Sequence, residues 1–97
     1  MIKKDIVAVM AARSGLSRRV CGKALSAFVL ALGESLESGR EVRLAGFGTF
    51  RPFHRRPSIR ENPITGEPME IPAKTIPKFT AGESFIELVN GGENERS

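Results

Sequence analysis

The chain has 97 residues, a formal charge of +4 and a pI of about 9.8, which suits one small domain that leans toward polyanions. Its single cysteine, Cys21, excludes a disulfide framework within the chain, and together with one histidine, His54, it is too little for a zinc site. No apolar run approaches the roughly 20 residues of a membrane span, and charge alternates with apolar residues from Lys3 onward rather than forming a leader, so a reducing, cytoplasmic setting is expected.

Lys3 to Ser14 reads as a helix, with Ile6, Val9, Met10 and the stem of Arg13 on one face. Gly15 and Leu16 make a turn, and Ser17 is an N-cap for a second helix from Arg18 to about Ser38. Val20, Ala24, Phe28, Leu32 and Leu36 line that helix, Leu25 and Val29 widen the stripe, and Gly39 stops it. Two helices joined by so short a turn predict a hairpin. Glu41 to Leu44 alternates as a half-buried strand, Gly46-Phe47-Gly48 is a turn, and Thr49 to Arg56 is a second strand. Met69 to Phe79 predicts a third strand and Ala81 to Val89 a short closing helix with Phe85, Leu88 and Val89 on its apolar side. Gly91 to Ser97 is expected to be a frayed tail.

All six prolines lie between Pro52 and Pro77. The stretch from Arg56 to Pro72 holds few large apolar residues (Ile59, Ile64, Met69 and Ile71), so it cannot bury much against a body. Its prolines prevent a helix and tolerate only edge or ribbon pairing. Flanked by strands, it predicts a two-stranded ribbon, an arm of about residues 56–73 with Asn62-Pro63-Ile64-Thr65-Gly66 at its tip. Such an isolated ribbon is marginal in water until it lies on something.

Charge points to what it lies on. From Met1 to Phe50, basic residues outnumber acidic ones by eight to four; Arg51 to Arg60 has four arginines and no acid. From Glu83 onward there are four glutamates and one arginine, so the middle of the chain is basic and its end acidic. Period two puts Arg51, Phe53 and Arg55 on one face, Arg56 and Arg60 follow along the arm, and Lys74 and Lys78 return beside them. Guanidinium groups pair with phosphates and enter narrow minor grooves. Pro63, an apolar wedge without an N–H, is suited to entering and unstacking a base step; Asn62 either bonds base edges or holds the turn. His54 reads as a surface or packing histidine and Cys21 as a small helix-packing residue.

Gly46-Phe47-Gly48-Thr49-Phe50, Asn62-Pro63-Ile64-Thr65-Gly66 and Ile76-Pro77-Lys78-Phe79, in register with Leu16-Ser17, resemble the bacterial HU and integration host factor family over about residues 1–90. HU and integration host factor are themselves standing examples of minor-groove bending, so the wedge reading and the resemblance do not count twice. The resemblance implies an α+β fold: a helical hairpin body, an antiparallel sheet with a long protruding β-ribbon arm, a short C-terminal helix, and an intertwined dimer. It implies an intercalating role for Pro63, backbone and groove contacts by Arg51, Arg55 and Arg56, and phosphate contacts by Lys3 and Arg18 on the body. The sequence departs from the family before the tip, where Arg60 and Glu61 replace a glycine and a basic residue. Glu61 puts a negative charge near the groove, and Arg60 restores a positive one a position earlier. Near the last helix Glu83 and Ile86 stand where the family often presents lysines.

The expected function is therefore non-enzymatic: a nucleoid protein that binds double-stranded DNA in the minor groove and bends it, largely independent of sequence, without a cofactor, metal or small-molecule substrate. A homodimer is expected, with a heterodimer left open. A sequence-specific bender resembling integration host factor and a dimeric protein-interaction scaffold remain as alternatives.

Overall fold

The computed structural model describes residues 1–91. Its elements run α1 (Lys3–Ser14), α2 (Arg18–Glu37), β1 (Val42–Leu44), β2 (Gly48–Arg55), β3 (Ser58–Glu61), β4 (Pro68–Ile71), β5 (Lys74–Ala81) and α3 (Glu83–Val89). The α+β class expected from the sequence is what is found. The chain divides within α2 into two compact units, Met1–Glu34 and Ser35 onward.

In the first unit, α1 opens with the Asp5 carboxylate accepting the Ile2 N–H at 2.9 Å, which satisfies one of the donors a helix start leaves open. It closes at Gly15, whose φ of 78° is the left-handed conformation that lets the Gly15 N–H return to the Ala11 carbonyl. Ser17 caps α2 as its position predicts: its Oγ accepts the Val20 N–H at 3.1 Å. The helices run antiparallel, since the Ser14 hydroxyl meets the Cys21 thiol at 3.7 Å while Lys3 Nζ donates to Ser26 Oγ at the far end. Cys21 is buried, as a small packing residue should be.

In the second unit, α2 ends with Gly39 (φ 88°), the Gly39 N–H bonding the Leu36 carbonyl and the Arg40 N–H bonding that of Ser35. This doubly bonded, glycine-turned end satisfies two carbonyls that the helix leaves open. Three antiparallel strands follow in the order β1-β2-β5. Phe47, Phe50, Phe79 and Phe85 form its aromatic centre, with ring centroids 4.7 Å apart for Phe50–Phe79 and 4.8 Å for the edge-on Phe47–Phe85 pair. The turn between β1 and β2 needs glycine: a Cβ on Gly48 would lie 2.4 Å from the Thr80 carbonyl oxygen. The Gly82 N–H donates to the Phe47 carbonyl at 2.8 Å and sets the start of α3.

Two expectations are corrected. The third strand is not continuous from Met69 to Phe79: it is β4 and β5, separated at Pro72-Ala73. Proline supplies no ladder N–H, and Pro57 interrupts the outgoing strand as well. Neither strand gains or loses a residue across the break: Arg55 opposes Lys74, and Ser58 opposes Ile71. That register sets Pro57 opposite Pro72. The closing helix starts at Glu83, not Ala81, because Ala81 still pairs with Gly48 in the sheet. The tail expected beyond Gly91 lies outside the described residues.

Candidate nucleic-acid interface

The arm grows directly out of the sheet. β2 and β5 pair over eight residues each, from Gly48 opposite Ala81 to Arg55 opposite Lys74. Side chains directly opposite share a face. One face of this ribbon therefore carries Arg51, Phe53 and Arg55 from β2 with Lys78, Ile76 and Lys74 from β5. Four cations surround two apolar residues. Lys78 Nζ sits 5.1 Å from the centroid of the Phe53 ring, so Phe53, 49% exposed, is a platform beneath a cation and not a core residue. The other face sets His54 against Thr75, Nδ1 to Oγ1 3.0 Å, with His54 itself exposed, the surface position of the two its sequence allows.

The basic residues are not equivalent. Arg51 Nε lies 2.7 Å from a Glu41 carboxylate oxygen, and Arg43 joins the same glutamate at 3.7 Å. Arg55 is half-buried; its Nη2 donates to the Pro72 carbonyl at 3.0 Å while its buried Nε has no partner. Arg55 thus holds a carbonyl that the break in the ladder has freed. Arg56, Arg60, Lys74 and Lys78 are exposed. Arg60 pairs in register with Met69, and Glu61 with Pro68.

Beyond the break, β3 and β4 form a separate two-stranded ladder from Ser58 opposite Ile71 to Glu61 opposite Pro68. Charge separates along the arm: its base carries Arg51, Arg55, Arg56, Lys74 and Lys78, whereas residues 58–71 hold one arginine, Arg60, and three glutamates, Glu61, Glu67 and Glu70. The tip turn is tightly tied. The Asn62 N–H donates to the Glu67 carbonyl at 2.8 Å and the Gly66 N–H to the Asn62 carbonyl at 2.7 Å. Asn62 Oδ1 accepts the N–H groups of Ile64 (2.8 Å) and Thr65 (3.3 Å), so of the two roles open to it from sequence, the oxygen serves the turn. Gly66 takes φ 76° to close the loop. Pro63 and Ile64 stand outermost, both exposed, Ile64 by 91%.

The first unit supplies its own basic surface. Lys3 and Arg18 line a common shallow depression with Arg19, Gly22, Lys23, Ser26, Ala27 and Leu30. Lys3 and Arg18 were singled out from sequence; Arg19 and Lys23 were missed, although their i, i+4 spacing puts them on one helix face. Ile64, placed at the tip from sequence, was missed as a contact residue, and Glu41 as the partner that occupies Arg51.

A helical pair, a sheet prolonged into a ribbon with a cationic base, and a rigid apolar tip define the class of ribbon-armed nucleic-acid-binding proteins. The family described as bacterial DNA-binding protein matches residues 1–90, and the chain belongs to it. The DNA-binding protein HRm of Rhizobium meliloti is 39% identical over 90 residues, which span 93% of this chain and 100% of the relative. The DNA-binding protein HU of Clostridium pasteurianum is 40% identical over 90 residues, 93% of this chain and 99% of its own. An Anabaena HU–DNA cocrystal structure matches with a TM-score of 0.81 at 36% identity, covering 92% of this chain and 97% of that one. HU from Thermotoga maritima, at 22% identity and a TM-score of 0.63, shares the fold. The family is one of architectural DNA-binding proteins, not of enzymes.

Proposed function

We propose that the chain acts as a homodimer whose two arms lie along the minor groove of duplex DNA and bend it, largely without regard to sequence. The observation that carries this reading is the tip: Pro63 and Ile64 project, exposed, from a turn fixed by five hydrogen bonds. A rigid apolar wedge of this kind enters and unstacks a base step, a mechanism best known from HU and integration host factor themselves. Behind it, Arg56, Lys74 and Lys78 meet phosphates, with Arg51 held in reserve by Glu41, Phe53 holding Lys78 in place and Arg60 reaching along the groove. Arg55 fixes the arm's shape more than it contacts DNA. Asn62 holds the turn, and Lys3 and Arg18, with Arg19 and Lys23, meet flanking phosphates. Glu61 and Glu83 thin the positive field, so the electrostatic footprint is short. The chain is assigned to the nucleoid, with no catalytic role.

The second copy is argued from what one chain leaves uncovered. Among the described apolar residues only Cys21 and Leu36 are buried, while Val9, Phe28, Val29, Leu30, Ile86, Leu88 and Val89 are all more than a third exposed. A chain this small cannot offset its ordering entropy with so little burial. Of the apolar stripe along α2, Leu36 is buried while Val20, Phe28 and Val29 are left exposed, a face suited to another copy.

The test is binding to a fluorescent duplex of roughly 30 base pairs, intact and nicked, across a salt series. A steep salt slope and tighter binding to nicked DNA are expected, because a nick lowers the cost of the kink. Absence of binding even at low salt would overturn the reading. Pro63→Ala should bind with similar affinity but bend the duplex less by fluorescence transfer between its ends; an unchanged bend would remove the wedge role.

A further inference from the structure

Glu61 is the last residue of β3, immediately before the tip turn, and is exposed. Among the described residues its carboxylate makes no ion pair. One of its oxygens, Oε2, lies 3.8 Å from where a Cβ on Gly66 would stand, so the carboxylate leans over the turn toward the tip. Asn62 Oδ1 beside it is already taken by two backbone N–H groups. Glu61 therefore offers a ligand entering beside the tip an acceptor that the turn itself does not use.

A carboxylate only accepts hydrogen bonds. In the minor groove an A·T pair shows only acceptors, N3 and O2, whereas a G·C pair adds the N2 amino donor. Runs of A·T also narrow the groove and deepen its negative potential. A carboxylate carried into the groove beside the wedge meets repulsion at A·T and finds a donor at G·C. Resting on the tip reading above, we infer that Glu61 makes the arm select guanine-containing pairs beside the step that Pro63 enters, by accepting a hydrogen bond from the guanine N2 amine.

The experiment uses the full chain and four duplexes that differ only in the pairs flanking one central flexible step. These carry G·C, inosine·C (which lacks only the N2 amine), A·T, or 2,6-diaminopurine·T (which gains it). Wild type is expected to bind the two amine-bearing duplexes about five-fold more tightly than their amine-lacking counterparts, the scale of one charge-assisted hydrogen bond less its desolvation. In Glu61→Ala the ratio should fall to near one, while affinity for A·T duplexes rises. Equal wild-type affinity for G·C and inosine·C duplexes, or the same ratio in Glu61→Ala, would overturn the inference. Pro63→Ala measured alongside separates the two levels. A reduced bend with no amine effect removes the Glu61 assignment alone, whereas an unchanged bend removes the tip reading and this inference with it.

Discussion

Individual residues on the arm divide into those that fix its shape and those left free to bind. Gly48 belongs to the first group. An added Cβ would meet the Thr80 carbonyl and the Phe79 ring, both in the sheet and neither a flexible side-chain end. Gly48→Ala is expected to cost at least ~2 kcal/mol in urea unfolding, since the strand pair must separate to admit a methyl group. Asn62 acts likewise at the tip: Asn62→Ala removes the acceptor for two N–H groups and should loosen the turn, lowering the bend while leaving stability within about 1 kcal/mol. Arg51 is a binding residue held in reserve by Glu41 at 2.7 Å. Both partners are about half exposed, so the pair itself contributes on the order of 0–1 kcal/mol. Glu41→Ala should therefore leave unfolding almost unchanged yet raise DNA affinity and steepen its salt dependence, by up to roughly one unit of slope if Arg51 moves to a phosphate.

At the scale of the element, the arm is two ladders in one register with a proline pair between them. Pro57 and Pro72 supply no N–H where the ladder would continue, and Arg55 compensates by donating to the Pro72 carbonyl. This predicts opposite phenotypes for neighbouring arginines. Arg56→Ala should lower the slope of log affinity against log salt by about 0.9, one phosphate contact, with no loss of stability. Arg55→Ala should do the reverse: a smaller change in slope, and a more mobile outer ribbon seen as faster amide exchange at Ser58–Glu61 and Pro68–Ile71. Equal effects of the two substitutions on the slope would show that Arg55 leaves Pro72 to bind DNA. The arm was legible in sequence because prolines and a shortage of large apolar residues are local facts. Its division into β3–β4 and β2–β5 was not, since Pro57 and Pro72 meet only through the register, and Pro52 and Pro77, equally opposed, leave the β2–β5 ladder unbroken.

For the whole molecule, the exposed stripe of α2 and the uncovered residues of α3 decide the assembly state. A dimer should show a melting temperature that rises with protein concentration and a sedimenting mass twice the 10.6 kDa of one chain. Phe28→Asp, placing a charge on that stripe, should abolish both the concentration dependence and DNA binding; a monomeric wild type that still bends DNA would exclude the homodimer. By itself the sequence determined the helix limits near Ser17 and Gly39, the turn glycines, the strand alternation, the ribbon with its Asn62-Pro63 tip, and the basic composition of the arm's base. Each is set by backbone stereochemistry or side-chain type within a few neighbouring residues. Only the tertiary structure decided which cations are free. Glu41 reaches Arg51 because β1 is antiparallel to β2, Lys78 covers Phe53 and Arg55 meets Pro72 through the register of β2 with β5, and Arg19 and Lys23 join Lys3 because the two helices fold back on each other. These partners lie far apart in the chain, and pairing geometry, not composition, brings them within reach.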